Sequence, residues 1–494
     1  MRRLVVCCDG SWQSAYFQDN PRKLTNIARI CNAICRQDDR QAKPIEQVKL
    51  YLPGPGTGQS LLVGTVEVGL LFLGTRLDLA HPACMAKQGA LGEGMVERCR
   101  EAYYWLCQNY EAGDEIQLYG FSRGGYLARI VASVVCLVGL LDPLSSLSFL
   151  PDVFSLLCSN RDITTKSGRR RHDELRQLLD SHKIKSRRNA QIKASRNGFL
   201  VQVLALFEAV PQIDPHHNPF SLPDCELEAE IERAYQALAI SEDRPSYSPV
   251  ILTRNPRVPE QELLQVWFPG SHSDVGGGVA EHDLPDLSLN WLVAHVAARL
   301  ALNLDFISNL SAKATAPWGS HEMHLGLGRS LRHKPRQIPH STDNLTCQHF
   351  HPSLCEQDPL SIPPDIRPIL HHADHPLFVS LTALEQQRKD DWPFRSDSPQ
   401  SPSLPSSNQI PRLDSHRAAI EASPMFHASV RAQVRVTVVH SSAKHDRSRT
   451  RFERMFAVER GIVDSWSDYV TKARGAGDLA LNRASLARAL SDSV

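Results

Sequence analysis

The chain has 494 residues and is 42% hydrophobic, 22% charged and 7% aromatic, enough apolar material for a sizeable core, which excludes a tail-like or fibrous protein. Its 55 Lys and Arg against 54 Asp and Glu leave a formal charge of +1. No global field therefore steers it to nucleic acid or to an anionic membrane, and any such partner must meet a local patch. The length fits one enlarged domain or two ordinary ones, and Pro (32) in excess of Gly (27) points to long non-helical connections.

The start, Met1 to Asp9, has no apolar signal region with a small-residue cleavage site, so the 12 cysteines are expected as reduced thiols and the compartment as cytoplasmic. The longest apolar stretches, Leu61 to Gly74 and Ile130 to Leu141, fall short of the ~20 residues that a membrane-spanning helix needs. Membrane contact is expected to be peripheral at most.

In chain order, Arg3 to Cys8 is a short β-rich run ended by Asp9-Gly10, Lys23 to Ile34 has helical spacing, and Lys49 to Leu52 is a second strand ended by Pro53-Gly54-Pro55-Gly56. A helix over Met95 to Tyr110 follows. Alternating strands and helices predict an α/β fold, a mostly parallel sheet covered on both faces. The next strand, Glu115 to Tyr119, runs into Gly120-Phe121-Ser122-Arg123-Gly124 and an Ala/Val/Leu-rich helix from Gly125 to Leu141. Strand, Gly-x-Ser-x-Gly turn and helix in that order form a nucleophile elbow, which lifts a strained serine above the sheet of an α/β hydrolase. Ser122 is then the nucleophile, and the Arg123 N–H points to where an oxyanion forms.

A serine nucleophile needs a base and an orienting acid later in the chain. Phe199 to Phe207 is an apolar β-type run ending in Glu208-Ala209-Val210-Pro211, and Leu263 to Phe268 ends in Pro269-Gly270-Ser271-His272-Ser273-Asp274 before Gly276-Gly277-Gly278. Both strand ends are eligible, because catalytic groups of open α/β sheets gather at carboxyl ends.

Several ordered segments resemble a largely uncharacterised α/β-hydrolase group of fungi and bacteria whose bacterial members include the phospholipase effectors of type VI secretion. They are Cys8-Asp9-Gly10-Ser11-Trp12, Pro53 to Gly58, Gly120 to Gly124 through Ala128-Arg129, Ala237 to Arg244 and Trp267 to Gly278, with Phe426 to Arg431 further on. The resemblance implies a Ser-Asp-His esterase or lipase. That group's acid stands in a Trp-Asp-Thr-Val segment, where this chain has Phe207-Glu208-Ala209-Val210, so the carboxylate is carried one methylene further. Two constellations remain open on Ser122: His272 as base with Glu208 as orienter, or His427 as base with Asp274 as orienter. The first is preferred because His272 lies at a strand end beside Gly270, whereas His427 follows a flexible segment.

Gly10 or Ser11 supplies a second oxyanion donor opposite Arg123. Asp9 is not expected as a phosphatase nucleophile, since Ser11 stands where a second acid would be needed, and Gly54 to Gly58 lacks the Gly-Lys-Ser/Thr of a phosphate loop. Leu61 to Gly74 reads as a buried element or as an apolar lid over a lipid cleft. Arg161 to Arg196, with Arg169-Arg170-Arg171, Lys183, Lys185, Arg187 and Arg188, lies in a cap insertion (about 142–198); it is a solvated insertion or a contact for anionic membrane headgroups, without the aromatic residues of a nucleic-acid site. Cys347, His349, His351 and Cys355 match no recognised zinc-finger spacing, so no metal is expected.

The expected organisation is a catalytic domain over 1–310, a His-rich irregular region over 311–395, a Pro/Ser-rich linker over 396–412, and a strand (Ala432 to Val439) with helices closing the chain over 413–494. The expected function is hydrolysis of a lipid or other acyl ester without a cofactor. The contrasting expectation is a catalytically silent protein that keeps the fold for binding membranes or partners.

Overall fold

The computed structural model describes residues 1–11, 13–15, 23–55, 57, 94–143, 146, 154, 188–211, 225–311, 314–324, 336–370, 372 and 374–394. They fall in one compact unit, residues 1–397. The stretch 61–74, most of the basic run, the Pro/Ser-rich segment, His427 and the closing strand and helices lie outside the described residues.

The elements in order are β1 (Arg2–Cys8), α1 (Asn26–Ala33), β2 (Gln37–Asp38), β3 (Ile45–Leu52), α2 (Met95–Asn109), β4 (Glu115–Phe121), α3 (Ser122–Val138), α4 (Arg188–Ala194) and β5 (Val203–Phe207). Then come β6 (Arg233–Ala239), β7 (Glu262–Phe268), α5 (His272–Gly276), α6 (Asp283–Val296), α7 (Leu304–Ser311), β8 (Gln348–Phe350), α8 (Arg367–Leu370) and α9 (Ala383–Asp390). The eight strands form one sheet in the order β2-β3-β1-β4-β5-β6-β7-β8. Only β2 runs antiparallel to its neighbour.

Leu4, Val6 and Cys8 of β1 pack with Cys99, Leu106, Leu127 and Val131 of α2 and α3 on one face of the sheet. On the other face Trp291 of α6 packs edge-on against Tyr235 of β6 and Phe268 of β7, at 6.4 and 5.6 Å between centroids. Burial on both faces explains why β1, β5 and β7 read as largely continuous apolar runs rather than alternating ones.

β1 lies between β3 and β4, so the chain leaves it to one side and returns on the other. The strand order reverses there, and in open α/β sheets the carboxyl ends at such a point are where ligands bind. Ser122 follows β4 there, Asp9 and Gly10 follow β1, and Glu208 follows β5.

The structure differs from the sequence expectation in several places, three of which bear on the site and the sheet. β6 was not predicted, because Arg233-Ala-Tyr-Gln-Ala-Leu-Ala is alanine-rich and lacks β-branched residues. The elbow helix begins at Ser122 itself. The sheet also continues beyond residue 310: Gln348–Phe350 pairs with Gln265–Trp267, so the His-rich region supplies the eighth strand of the same unit.

Candidate active site

Ser122 sits at φ 57, in the left-handed region that side chains other than glycine rarely adopt. The turn is that tight because strand and helix touch through glycines. A Cβ on Gly120 would lie 2.5 Å from the Gly124 carbonyl oxygen, and one on Gly124 would lie 2.2 Å from the Asp9 carbonyl oxygen. Phe121 caps α3 without a side-chain hydrogen bond, so the first-turn N–H groups, Arg123 among them, open toward the carboxyl end of the sheet.

Glu208 is likewise left-handed, at φ 46, and fully buried. Its Oε1 accepts the Ala239 N–H at 2.6 Å, and its Oε2 lies 3.1 Å from His272 Nδ1 and 2.7 Å from Arg336 Nη2. The His272 backbone N–H donates to Glu242 Oε2 at 3.2 Å, and Arg244 grips that carboxylate through Nε at 2.7 Å and Nη2 at 2.8 Å. Burial opposes the charge on Glu242, yet the Arg244 bonds hold its pKa down to about 2.

The His272 ring packs between Phe121 and Tyr247, each at 4.8 Å between centroids. Burial lowers its pKa from 6.5, against the pull of Glu208, so the imidazole is neutral at neutral pH. With Nδ1–H donating to Glu208, Nε2 carries the free lone pair. Nε2 is buried and makes no hydrogen bond among the described residues, so Glu208 and His272 are joined while Ser122 and His272 are not. Nucleophile–base bonds are often long without substrate and tighten in the Michaelis complex.

The two oxyanion candidates after β1 separate. The Gly10 N–H donates to Asp9 Oδ1 at 2.8 Å, so of the two candidates Gly10 is already engaged. Asp9 also accepts from Thr25 Oγ at 2.8 Å and Tyr51 Oη at 2.5 Å. Burial raises its pKa to about 6 against those bonds. Three donors thus occupy the Asp9 carboxylate. Gly10 still matters sterically: a Cβ there would lie 2.8 Å from the Phe121 ring and 3.4 Å from Ser122 Cβ.

Asp274 is bonded to residues other than His272. Its Oδ2 accepts from the Ser271 N–H and Oγ, closing a capping box, and its Oδ1 lies 2.6 Å from His324 Nδ1. That bond raises the His324 pKa. His427, the other member of the second constellation, lies outside the described residues.

The His/Cys set near residue 350 does not gather. The Cys347 thiol donates to the Asn344 carbonyl, while His351 is buried between Ser353 and Glu385, at 2.7 and 3.2 Å, and stacked on Phe268. Among the described residues no group of His, Cys, Asp and Glu is arranged to hold a metal ion, and no helix is long and apolar enough to cross a membrane.

Sequence reasoning missed Arg336, Glu242, Arg244 and Tyr247 as site residues. Glu242-x-Arg244 after a strand carried a signal for a local ion pair; Arg336 carried none, because it reaches Glu208 across 128 positions.

Residues 2–295, more than half of the chain, match the family described as T6SS, phospholipase effector Tle1-like, catalytic domain. A relative in Saccharomyces cerevisiae, uncharacterized protein YEL023C, is 29% identical over 140 residues, which are 28% of this chain and 18% of the yeast protein. Two solved structures are similar at 17% identity. An uncharacterized protein from Pseudomonas aeruginosa has a TM-score of 0.32 over 60% of this chain and 45% of its own. The Tle1 effector bound to the VgrG spike of the type 6 secretion system has a TM-score of 0.25 over 56% and 50%. The chain thus spans half or less of each of these relatives. The family match over residues 2–295 places the chain: it belongs to the Tle1-like phospholipase effector catalytic-domain family, a family of lipase- and esterase-type hydrolases.

Proposed function

We propose that the chain is a serine carboxylic-ester hydrolase in which Ser122 attacks an acyl carbonyl, His272 Nε2 takes the serine proton and returns it to the leaving alcohol, and Glu208 fixes the imidazole. The Arg123 and Ser11 N–H groups receive the developing oxyanion, and water then clears the acyl-enzyme. No cofactor enters these steps. The observation that carries the proposal is the 3.1 Å contact of Glu208 Oε2 with His272 Nδ1, which leaves the opposite ring nitrogen unbonded. Family membership supports a lipid ester, a phospholipid in the first instance, as substrate. The basic run over 161–196 is proposed as its peripheral contact with anionic headgroups.

A fluorophosphonate probe tests the chemistry. Labelling is expected in the wild type and absent in Ser122→Ala, with strong loss in His272→Ala and little change in His427→Ala. Labelling that survives Ser122→Ala overturns the proposal and leaves the silent, partner-binding protein. Flotation with anionic vesicles, with and without the basic run, checks the membrane contact, which is wrong if binding is unchanged.

A further inference from the structure

A glutamate brings a longer and more mobile arm to the acid position than an aspartate would, and an arm free to swing does not orient an imidazole. Glu208 is also fully buried, so its charge needs compensation on the spot. Both requirements meet at one side chain. Arg336 Nη2 donates at 2.7 Å to Glu208 Oε2, the same oxygen that lies 3.1 Å from His272 Nδ1. Its Nε donates to the Glu242 carbonyl oxygen at 2.9 Å, and the Glu242 carboxylate receives the His272 backbone N–H. One planar fork thus ties the loop after β5 to the loop after β6, and these two loops hold His272 by ring and by backbone.

We propose that Arg336 is the positioning residue that lets a glutamate serve as the orienting acid of this site. The proposal rests on the assignment of Ser122, His272 and Glu208 made above. Arg336 lies beyond residues 2–295 that carry the family match, and it touches none of the reacting atoms, so it acts through Glu208.

The charges around His272 set the expected sign. Glu208 faces its ring and Glu242 its backbone, Arg336 is paired with Glu208, Arg244 is paired with Glu242, and the Arg123 guanidinium lies over the Tyr247 ring at 5.6 Å. Arg336 disfavours the imidazolium, as the other contributions from Glu208 and Glu242 favour it. Removing it raises the pKa of the base while loosening the acid.

The test is the rate at which a fluorophosphonate labels Ser122 in the full chain, followed between about pH 5 and pH 8. Arg336→Gln and Arg336→Met are compared with wild type, alone and in a Glu208→Gln background. Either charge-removing variant is expected to move the midpoint up by about one pH unit and to lower the plateau roughly tenfold or more. Arg336→Lys is expected to restore the midpoint and part of the plateau. In the Glu208→Gln background the further loss is expected to stay below about threefold, since the arginine then has no carboxylate to act through. Thermal melting identifies which of Gln and Met folds, and that one decides. An unmoved midpoint, or the same loss with Glu208 already neutralised, overturns the proposal while the hydrolase assignment stands. Wild-type labelling that does not depend on Ser122 overturns both.

Discussion

Asp9 sits in an environment that its neighbours in sequence do not suggest. It is buried at the end of β1, under the loop that carries Ser11, and its carboxylate collects the Gly10 N–H with the Thr25 and Tyr51 hydroxyls. Burial still wins, raising its pKa from 3.8 to about 6. A raised folded-state value contributes stability that is fully present below 3.8 and is lost as pH rises through about 6. Asn at this position keeps an oxygen for the Gly10 N–H and does not titrate. Asp9→Asn is therefore expected to gain stability relative to wild type as pH rises from about 4 to about 7, by up to roughly 3 kcal/mol, read as the difference in urea midpoints. A difference that is flat with pH would refute the assignment. This arrangement was not legible in the sequence: Tyr51 meets Asp9 only because β3 pairs with β1 in a register that sets Tyr51 opposite Cys7.

At the scale of elements, the elbow depends on contact between three backbones, those of β1, β4 and α3. Gly124 lies where a Cβ would come within 2.4 Å of the Cys8 and Asp9 carbonyl oxygens. No rotamer relieves a clash with backbone, so Gly124→Ala must push α3 away from β1. The expected loss is about 3 kcal/mol or more, seen as a fall in melting temperature, with Ser122 labelling lost in parallel. Gly94, by contrast, has nothing within 4 Å of its Cβ position, and Gly94→Ala is expected to leave labelling unchanged despite its left-handed φ of 89. The same scale shows what the sequence could carry. β1, β3, β4, β5 and β7 were legible because each holds an apolar run that ends close to a Gly or Pro, and Ser122, Glu208 and His272 could be placed at strand ends for that reason. β6 and the three-residue β8 have no such pattern. Arg336 belongs to a stretch without periodicity, so nothing local marks its return to β5.

For the whole molecule, the sheet and the site both draw on residues past 310. β8 covers the edge of β7, Arg336 reaches Glu208, and His324 reaches Asp274. A chain cut after residue 310 loses all of these and uncovers β7, whose Trp267 and Phe268 are buried. It is expected to aggregate and to show no Ser122 labelling. A chain cut after residue 397 keeps the compact unit and is expected to retain labelling. That comparison also separates the two constellations, since the longer piece lacks His427. Loss of labelling in it, with the melting transition intact, would favour His427 as the base. The near-zero net charge of the chain offers no guide here, because the balance that matters is local: Arg336 with Glu208 and Arg244 with Glu242.

Ser122 and Glu208 share one further property: both are non-glycine residues held at positive φ, at φ 57 and 46. Each such residue costs roughly 1–2 kcal/mol relative to an unstrained backbone, a sizeable fraction of the 5–15 kcal/mol by which domains are typically stable. Glycine would relax position 122 without disturbing the turn. Mutational drift that answered only to thermal stability would therefore run downhill from serine to glycine at position 122. A fold that has abandoned catalysis has no brake on that slide, whereas one still in service must hold the steeper ground at every generation.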